Sequence, residues 1–309
     1  MIDFRKPKIT DKPWVDECLR KADFRGCEYN FTNILAWGNT YGQGIAQIDG
    51  FLTTHFNGQT YGAAYLYPAG EGNTEQVIRV MAADAQERGI SFRLCGLCAQ
   101  QVESLRRNFP DAFHFEADRN GSDYLYDINR LADLPGKKLH AKRNHINRFV
   151  ENNPNWHYDV LRPEDIPECL ALEREWYQAS MLREGKEEAQ DLGDEGYALR
   201  QATAYYEELE LEGGVLRVDG KLVAFTIGSR ISFDTYDVHF EKAYHDLQGA
   251  YPMINREFAR QVQTNHPEIR YLNRENDMGI PGLRKAKESY YPDLLVEKYF
   301  AILEGSSLH

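Results

Sequence analysis

The sequence lacks long apolar runs. No stretch in its 309 residues approaches the roughly 20 apolar residues that a membrane-spanning helix needs. Its first residues, MIDFRKPKITDKPW, also lack the apolar core of a signal peptide. The sequence alone therefore predicts a cytoplasmic protein without a transmembrane segment.

Cysteine is scarce and odd in number. The five cysteines are scattered as Cys18, Cys27, Cys95, Cys98 and Cys169, which is not the framework of a disulfide-rich secreted domain. Cys95 and Cys98 form a CxxC pair, but a structural zinc site needs four ligands, and no second Cys or His pair has matching spacing. We therefore expect a reducing compartment and no metal site, and we interpret the pair as packing at a strand end.

Positive charge is in short supply over the chain as a whole. The net charge of -12 excludes a protein whose entire surface binds nucleic acid, because phosphate binding needs a positive field. Residues 130–148 are an exception, with six Lys or Arg residues against one Asp. A polyanionic ligand would therefore find one favourable face.

What the sequence does contain is an element order that occurs twice. Each half is predicted to have helices, three antiparallel strands, and then helix, strand, helix and strand, with Asp49-Gly50 and Asp219-Gly220 as tight hairpin turns. Hairpins followed by crossover units indicate an α+β fold on a mixed sheet. We expect an N-terminal domain over 1–135, a basic linking helix within 136–155 and a C-terminal domain over 156–309.

This repeated order resembles the GNAT acyltransferase superfamily, which implies two tandem GNAT-like acyltransferase domains. In that superfamily a helix N-terminus after the third core strand holds the pyrophosphate of acyl-coenzyme A. The matching stretch here is HDLQGAYPMINREFA, residues 245–259. It keeps one glycine, Gly249, and departs from the pattern by placing bulky Tyr251 and Pro252 where the backbone would approach phosphate.

Four stretches carry a closer resemblance. They are EYNFTNILAW at 28–37, YLYDINRLADLPGKKLHAKRNHINRF at 124–149, VHFEKAYHDLQGAYPMINREFA at 238–259, and YLNRENDMGIPGLRKAKESYYP at 271–292. Together they resemble the soluble C-terminal part of phosphatidylglycerol lysyltransferases and its stand-alone relatives, which are tandem GNAT-like proteins. The resemblance spans most of the chain.

The resemblance implies aminoacyl transfer, with the active site in the second domain. An amino acid esterified to tRNA would pass to a hydroxyl or amine on a small molecule, a lipid headgroup or a peptide. Aminoacyl-tRNA would be the co-substrate and no further cofactor is required. The lysyltransferases join this part to a membrane-embedded flippase that the sequence does not contain, so we expect no lipid flipping.

Two other functions stay open at this point. The first is an acyl-coenzyme A-dependent N-acyltransferase, which would use residues 248–252 for the cofactor. The second is a non-catalytic module that binds a small ligand or an RNA in the same cleft.

Four residues are candidates for acid–base catalysis. The strand in DVHFEKAYHDL brings Glu241 and His245 near the sheet rim beside a helix N-terminus, where GNAT-like sites lie, so either is a candidate general base. The GNAT resemblance also implies a tyrosine four residues after a helical alanine, near the leaving group. Ala286 and Tyr290 have that spacing, and Tyr290 or Tyr291 is the candidate proton donor.

Polar residues after the last short strand are candidates for holding substrate, because polar groups at strand ends of open sheets converge on ligands. Arg284 and Lys287 are three apart on one helical face and suit a carboxylate or phosphate. The full set of substrate-binding candidates is Asn273, Arg274, Glu275, Asp277, Arg284, Lys287 and Gly249.

The basic helix predicted over 137–151 is the candidate surface for tRNA. Lys and Arg side chains have the sign that a phosphate backbone requires. The residues are Lys137, Lys138, Lys142, Arg143 and Arg148. A solvated helix that merely links the domains is the alternative.

Overall fold

The computed structural model describes residues 1–58, 62–184, 188–305 and 308. The helices are α1 Lys12–Ala22, α2 Phe31–Trp37, α3 Thr74–Arg88, α4 Ala99–Asn108, α5 Ile128–Asp133, α6 His140–Asn152, α7 Ile166–Glu184, α8 Glu188–Thr203, α9 Ala250–Asn265 and α10 Pro281–Glu288. The strands are β1 Gln43–Ile48, β2 Phe51–Gly58, β3 Gly62–Gly70, β4 Arg93–Leu97, β5 Phe113–Asp127, β6 Trp156–Val160, β7 Glu212–Val218, β8 Lys221–Arg230, β9 Thr235–Ala243, β10 Tyr271–Asn273 and β11 Leu294–Leu303. In the described part of the chain, no helix is both long and apolar enough to cross a membrane.

The chain forms two compact units. The first contains Met1–Tyr124, Glu275–Lys285 and the chain from Leu295, and the second contains Leu125–Arg274 and Ala286–Leu294. The division expected from sequence places all of 156–309 in the C-terminal domain. Strand β11 instead counts with the first unit, because it pairs antiparallel with β4.

In the first unit the strands follow the order β1-β2-β3-β4-β11-β5. The β1–β2 and β2–β3 pairs are antiparallel, and β3–β4 is parallel. Helices α3 and α4 supply one side of a core that includes Met81 and Val102, packed with Tyr65 and Leu94 of the sheet. Fully burying each such side chain stabilises the fold by about 1.5–3 kcal/mol.

In the second unit the order is β5-β10-β9-β8-β7-β6, with β10 parallel to β9. The hairpin predicted at Asp219-Gly220 is confirmed: both residues have positive φ, 50° and 80°, and Val218 pairs with Lys221. Helix α9 buries Ile254, Phe258 and Val262, which repeat every four residues on one face. This packing fixes the N-terminus of α9 beside the end of β9.

The basic helix differs from its prediction over 137–151. Helix α5 ends at Asp133, Leu134 follows in a left-handed conformation with φ 49°, and α6 begins only at His140. Pro135 has no N–H with which to continue a helix, and Gly136 also has positive φ. Lys137 and Lys138 therefore lie in the turn before α6.

Candidate active site

An ion pair in the second unit joins two of the predicted residues. Arg274, directly after β10, donates from Nη2 to Oε1 of Glu241 on β9 at 2.8 Å. Asn255 of α9 donates to the other carboxylate oxygen at 3.2 Å. Parallel pairing of β9 and β10 brings the two strands together. Glu241 is therefore held in place as the counter-ion of Arg274.

Two tyrosine rings flank this guanidinium. The Cζ of Arg274 lies 5.0 Å from the ring centroid of Tyr290 and 5.8 Å from that of Tyr126. Tyr290 is buried, and burial raises the pKa of its hydroxyl above the usual value of 10.0. Its phenol therefore stays protonated near neutral pH and can act as a proton donor. Tyr290 lies beyond the end of α10, and its N–H donates to the Lys287 carbonyl at 3.1 Å.

Lys142 of α6 reaches the same place. Its Nζ lies 4.0 Å from the Tyr290 ring centroid and donates to Ser289 Oγ at 2.7 Å. Burial lowers the pKa of Lys142 from 10.5 to about 8, and the charge of Arg274 acts in the same direction against the opposing charge of Glu241. A lysine in this range is neutral in an appreciable fraction of molecules near neutral pH, so it can accept a proton.

Lys287 completes a cationic group that we call the Arg274 cluster, made of Lys142, Glu241, Arg274, Lys287, Ser289 and Tyr290. The ammonium of Lys287 donates to the Arg274 carbonyl, and Tyr126 donates its hydroxyl to the Lys287 carbonyl at 2.8 Å. The cluster holds three basic side chains and one carboxylate. Arg274 Nη1 is buried and has no hydrogen-bond partner among the described residues. A buried donor of this kind is a place for a ligand oxygen.

Other predicted substrate residues lie in the first unit. Arg284 donates from Nε and Nη2 to both oxygens of Asp277, each at 2.8 Å, and Tyr124 also donates to this carboxylate. Burial alone would raise the pKa of Asp277, but these hydrogen bonds outweigh burial and lower it from 3.8 to about 2. Arg284 and Asp277 therefore neutralise each other, and the structure does not bring Arg284 into the Arg274 cluster with Lys287.

Glu275 also lies in the first unit, whereas Asn273 belongs to the second unit. Glu275 accepts from the side-chain amide of Asn33 at 2.8 Å and lines a cleft of the first unit of about 880 Å³, part of it open to solvent. Asn273 is fully buried at the end of β10, where it pairs in register with Leu125 and Asp237.

The remaining catalytic candidates lie outside the Arg274 cluster. His245 is exposed, and its ring stacks on Trp176 with centroids 4.9 Å apart. Tyr291 is 43% exposed, with the Lys138 ammonium 5.2 Å from its ring centroid. Their predicted roles stay predictions.

The structure explains why residue 249 is a glycine. Its φ is 88°, and a Cβ on it would lie 2.2 Å from the His145 carbonyl oxygen and 2.8 Å from Phe149 Cβ. The N-terminus of α9 is thus packed directly against the backbone of α6. The neighbouring Ala250 N–H already donates to the Leu247 carbonyl at 3.2 Å.

The basic segment divides into inward and outward members. Arg143 donates to the carbonyls of Leu134 and Gly136, which ties down the preceding turn. Lys142 lies in the Arg274 cluster, and Lys137, Lys138 and Arg148 are exposed. The sequence contained an indication that Lys142 points inward. Lys142 lies one helical turn before Ile146, which is buried on the same face of α6.

A second buried group involves residues that the sequence did not single out together. Cys27, Glu28 and Asp123 bring ligand atoms within 4.8 Å of one another in the first unit. The ammonium of Lys298 lies among them, 2.8 Å from Asp123 and 2.6 Å from Glu28. Burial raises the pKa of Glu28 to about 7 against the opposing charge of Lys298. Since this ammonium takes the place of a cation, we assign no metal to the group.

Comparison with known proteins agrees with this architecture. A crystal structure of a conserved protein of unknown function from Bacteroides thetaiotaomicron is 40% identical, with a TM-score of 0.91, and the match covers 98% of this chain and all of that one. The structure of L-PGS from Bacillus licheniformis is 16% identical over 98% of this chain and 94% of that one, with a TM-score of 0.67. The C-terminal domain of a putative lysylphosphatidylglycerol synthetase from Agrobacterium fabrum is 14% identical over 96% and 93%, with a TM-score of 0.64.

A curated relative, an uncharacterised protein from Mycoplasmoides gallisepticum, is 21% identical over 58% of this chain, and the match spans 56% of that relative's own length. The family model described as phosphatidylglycerol lysyltransferase, C-terminal, matches residues 19–302. The predicted α+β fold is confirmed, and it is shared with the Bacillus licheniformis and Agrobacterium fabrum structures. The chain belongs to the family of phosphatidylglycerol lysyltransferase C-terminal domains.

Proposed function

We propose that the protein is an aminoacyltransferase that moves an aminoacyl group from aminoacyl-tRNA to a hydroxyl or amine on a small molecule, a lipid headgroup or a peptide. Family membership supports a transferase. The observation that carries the proposal is Arg274 Nη1, a buried donor without a hydrogen-bond partner among the described residues. It lies in the same side-chain cluster as protonated Tyr290 and the perturbed Lys142.

Arg274 has the chemistry of an oxyanion stabiliser. When the acceptor attacks the ester carbonyl, negative charge develops on the carbonyl oxygen, and a fixed guanidinium lowers the energy of that state. Glu241 and the Lys287 ammonium hold Arg274 at its side chain and its carbonyl, respectively. In this proposal Glu241 is a positioning residue rather than the base.

Lys142 and Tyr290 supply the proton transfers. The neutral amine of Lys142 accepts the proton of the attacking hydroxyl or amine, and Tyr290 gives a proton to the departing ribose oxygen. A bond from the acceptor to the acyl carbon forms and the ribose ester bond breaks. Return of the proton from Lys142 to Tyr290 restores both groups, so the acceptor's proton ends on the ribose hydroxyl.

The geometry at Gly249 favours aminoacyl-tRNA over acyl-coenzyme A as the donor in this proposal. In the GNAT pattern the start of the corresponding helix faces pyrophosphate. Here the space beside Gly249 holds the His145 carbonyl, and the Ala250 N–H is already bonded. An oxygen facing this position would repel phosphate.

The test is loss of label from a mixture of radiolabelled aminoacyl-tRNAs in the presence of cell extract. We expect Tyr290→Phe and Lys142→Met each to slow release by about 100-fold or more. Two matched controls should keep the wild-type rate: Tyr299→Phe, and Lys221→Met, which removes an ammonium 4.6 Å from the ring centroid of Tyr244. Wild-type release by both cluster variants would refute the proposal.

The same assay separates the candidate bases. Loss of activity in His245→Gln with full activity in Lys142→Met would assign the proton transfer to His245. If Glu241 only positions Arg274, then Glu241→Gln and Arg274→Gln should slow release to a similar extent, and the double variant should be no slower than either single one.

For tRNA approach we propose the exposed basic residues Lys137, Lys138 and Arg148. Neutralising all three should weaken tRNA binding and reduce the slope of log affinity against log salt by about 2–3, because each phosphate contact contributes about 0.7–0.9. Lys8→Gln, an exposed lysine of the first unit, is the control that should leave the slope unchanged. An unchanged slope in the triple variant would exclude this surface.

A further inference from the structure

The first unit contains a second cleft, which the proposed transfer does not use. It encloses about 800 Å³, part of it open to solvent, beside the start of β1 and the middle of β2. Its lining includes Phe4, Arg5, Lys6, His55 and Arg88, together with the side-chain amide of Asn39 and two further amides. Among these lining residues there is no Asp or Glu, and the polar side chains are cations, amides and one imidazole. The wall is therefore rich in hydrogen-bond donors.

His55 is the feature that points to a ligand. The residue is only 8% exposed, and its Nε2 is buried without a hydrogen-bond partner among the described residues. The ring is held by Phe4 and Tyr65, with centroids 5.5 and 4.8 Å away. A buried polar atom on a fixed ring has lost its water and gained nothing in return, so the position calls for a partner from the cleft.

The cationic side chains around His55 are also fixed. Arg88 donates from Nε to Asp84 and from Nη2 to the Ile2 carbonyl, each at 2.7 Å, and its guanidinium lies 5.5 Å from the Phe4 ring centroid. Arg5 makes a two-pronged contact with Asp11. These ion pairs neutralise part of the charge but hold both guanidinium groups in position, and further N–H groups remain on each.

Lys6 adds a third cationic side chain to the cleft. Its ammonium donates to Asn39 Oδ1 at 3.2 Å, a neutral partner. The cleft thus combines the Lys6 ammonium, two oriented guanidinium groups, three amides and a buried imidazole. Such a set suits a ligand that offers several oxygen acceptors and negative charge.

We propose that this cleft binds an oxyanion, a phosphate or carboxylate group of a small molecule, with His55 as the buried hydrogen-bonding partner. The site belongs wholly to the first unit and is independent of the proposed aminoacyl transfer.

The test uses inorganic phosphate, acetate and neutral glycerol as probes, titrated calorimetrically into the full chain at constant ionic strength. We expect saturable binding of phosphate or acetate and none of glycerol. The anion that binds more tightly identifies the ligand's oxyanion as a phosphate or a carboxylate. In parallel, NMR should show a shift at His55 among the nine histidines. The proposal would be overturned if no anion bound saturably or if glycerol bound as well as the anions. It would also be overturned if the NMR shift were spread evenly over the histidines.

Two variants sharpen the test. His55→Phe keeps an aromatic ring against Phe4 and Tyr65 but removes the nitrogen, and we expect the anion affinity to fall by about tenfold or more. Lys6→Gln leaves the His55 ring in place, so the NMR shift at His55 should still be observed, but the affinity for the anion should also fall. The control His157→Phe changes an exposed histidine of the second unit and should leave affinity unchanged. Wild-type affinity in His55→Phe, in a protein with a native thermal transition, would contradict the assignment. Since no tRNA is present, failure here would leave the transfer proposal untouched.

Discussion

Lys142 provides a sharp test of the Arg274 cluster, because its titration depends on the packing around it. The pKa of this lysine is lowered to about 8, first by burial and then by the charge of Arg274. At pH 7.5 about a quarter of Lys142 would therefore be neutral, against about 0.1% of an ordinary lysine with a pKa near 10.4. Only the neutral amine reacts with acylating reagents, so the difference in reactive fraction is about 200-fold.

The assay is competitive labelling with limiting acetic anhydride across a pH series, with each lysine quantified by mass spectrometry. The midpoint of the labelling curve for Lys142 should fall near 8. Removing the charge of Arg274 with Arg274→Gln should raise this midpoint, and removing the charge of Glu241 with Glu241→Gln should lower it, because the two charges act on the ammonium with opposite signs. A midpoint above about 10 in the wild type, or a shift of both variants in the same direction, would refute the reasoning.

Two further predictions concern stability. The pKa of Asp277 is lowered from 3.8 to about 2, so the ionised carboxylate contributes about 2 kcal/mol to the free energy of unfolding. This contribution is fully present above pH 3.8 and is lost as the pH falls through 2. Asp277→Asn should therefore lower the free energy of urea unfolding by about that amount at neutral pH, and the difference in unfolding free energy between variant and wild type should become smaller in acid. A difference in unfolding free energy that grows in acid would contradict the predicted direction of this pH dependence. Gly249→Ala should cost about 2–3 kcal/mol because it combines positive φ with a clash against the His145 carbonyl, whereas Gly220→Ala, with similar φ and open space, should cost about 1 kcal/mol. Equal costs by thermal unfolding would show that the contact with α6 is unimportant.

Much of the local structure could be predicted because it depends on near neighbours. The hairpin at Asp219-Gly220 needs only two residues that tolerate positive φ between alternating strands. Helix α3 begins after Asn73, whose side chain accepts from the Gln76 N–H, and ends at Gly89 in a left-handed conformation. The end of α5 was also encoded locally, in Leu134-Pro135-Gly136, and the predicted start of the basic helix at residue 137 precedes the observed start at His140 by three residues.

The candidate site was only partly predictable. The sequence indicated Arg274, Glu241 and Tyr290 separately, as polar residues at strand ends and after a helix. It assigned Lys142 to a nucleic-acid surface, although the buried Ile146 one turn later indicates that its face of α6 points inward. The chemistry of Lys142 arises from contact with Ser289, which lies 147 residues away along the chain.

The sequence by itself determined the order of helices and strands, the tight turns and the family resemblance, since each of these is encoded in short stretches with their own periodicity and turn chemistry. The tertiary structure decided which charged side chains are paired within the protein and which can contact a ligand. Arg284 and Lys287 are three residues apart, yet one binds Asp277 and the other binds the Arg274 carbonyl. Burial and pairing between distant residues fix the charge and proton affinity of a side chain, and neither is a property of the residue's neighbours in the chain.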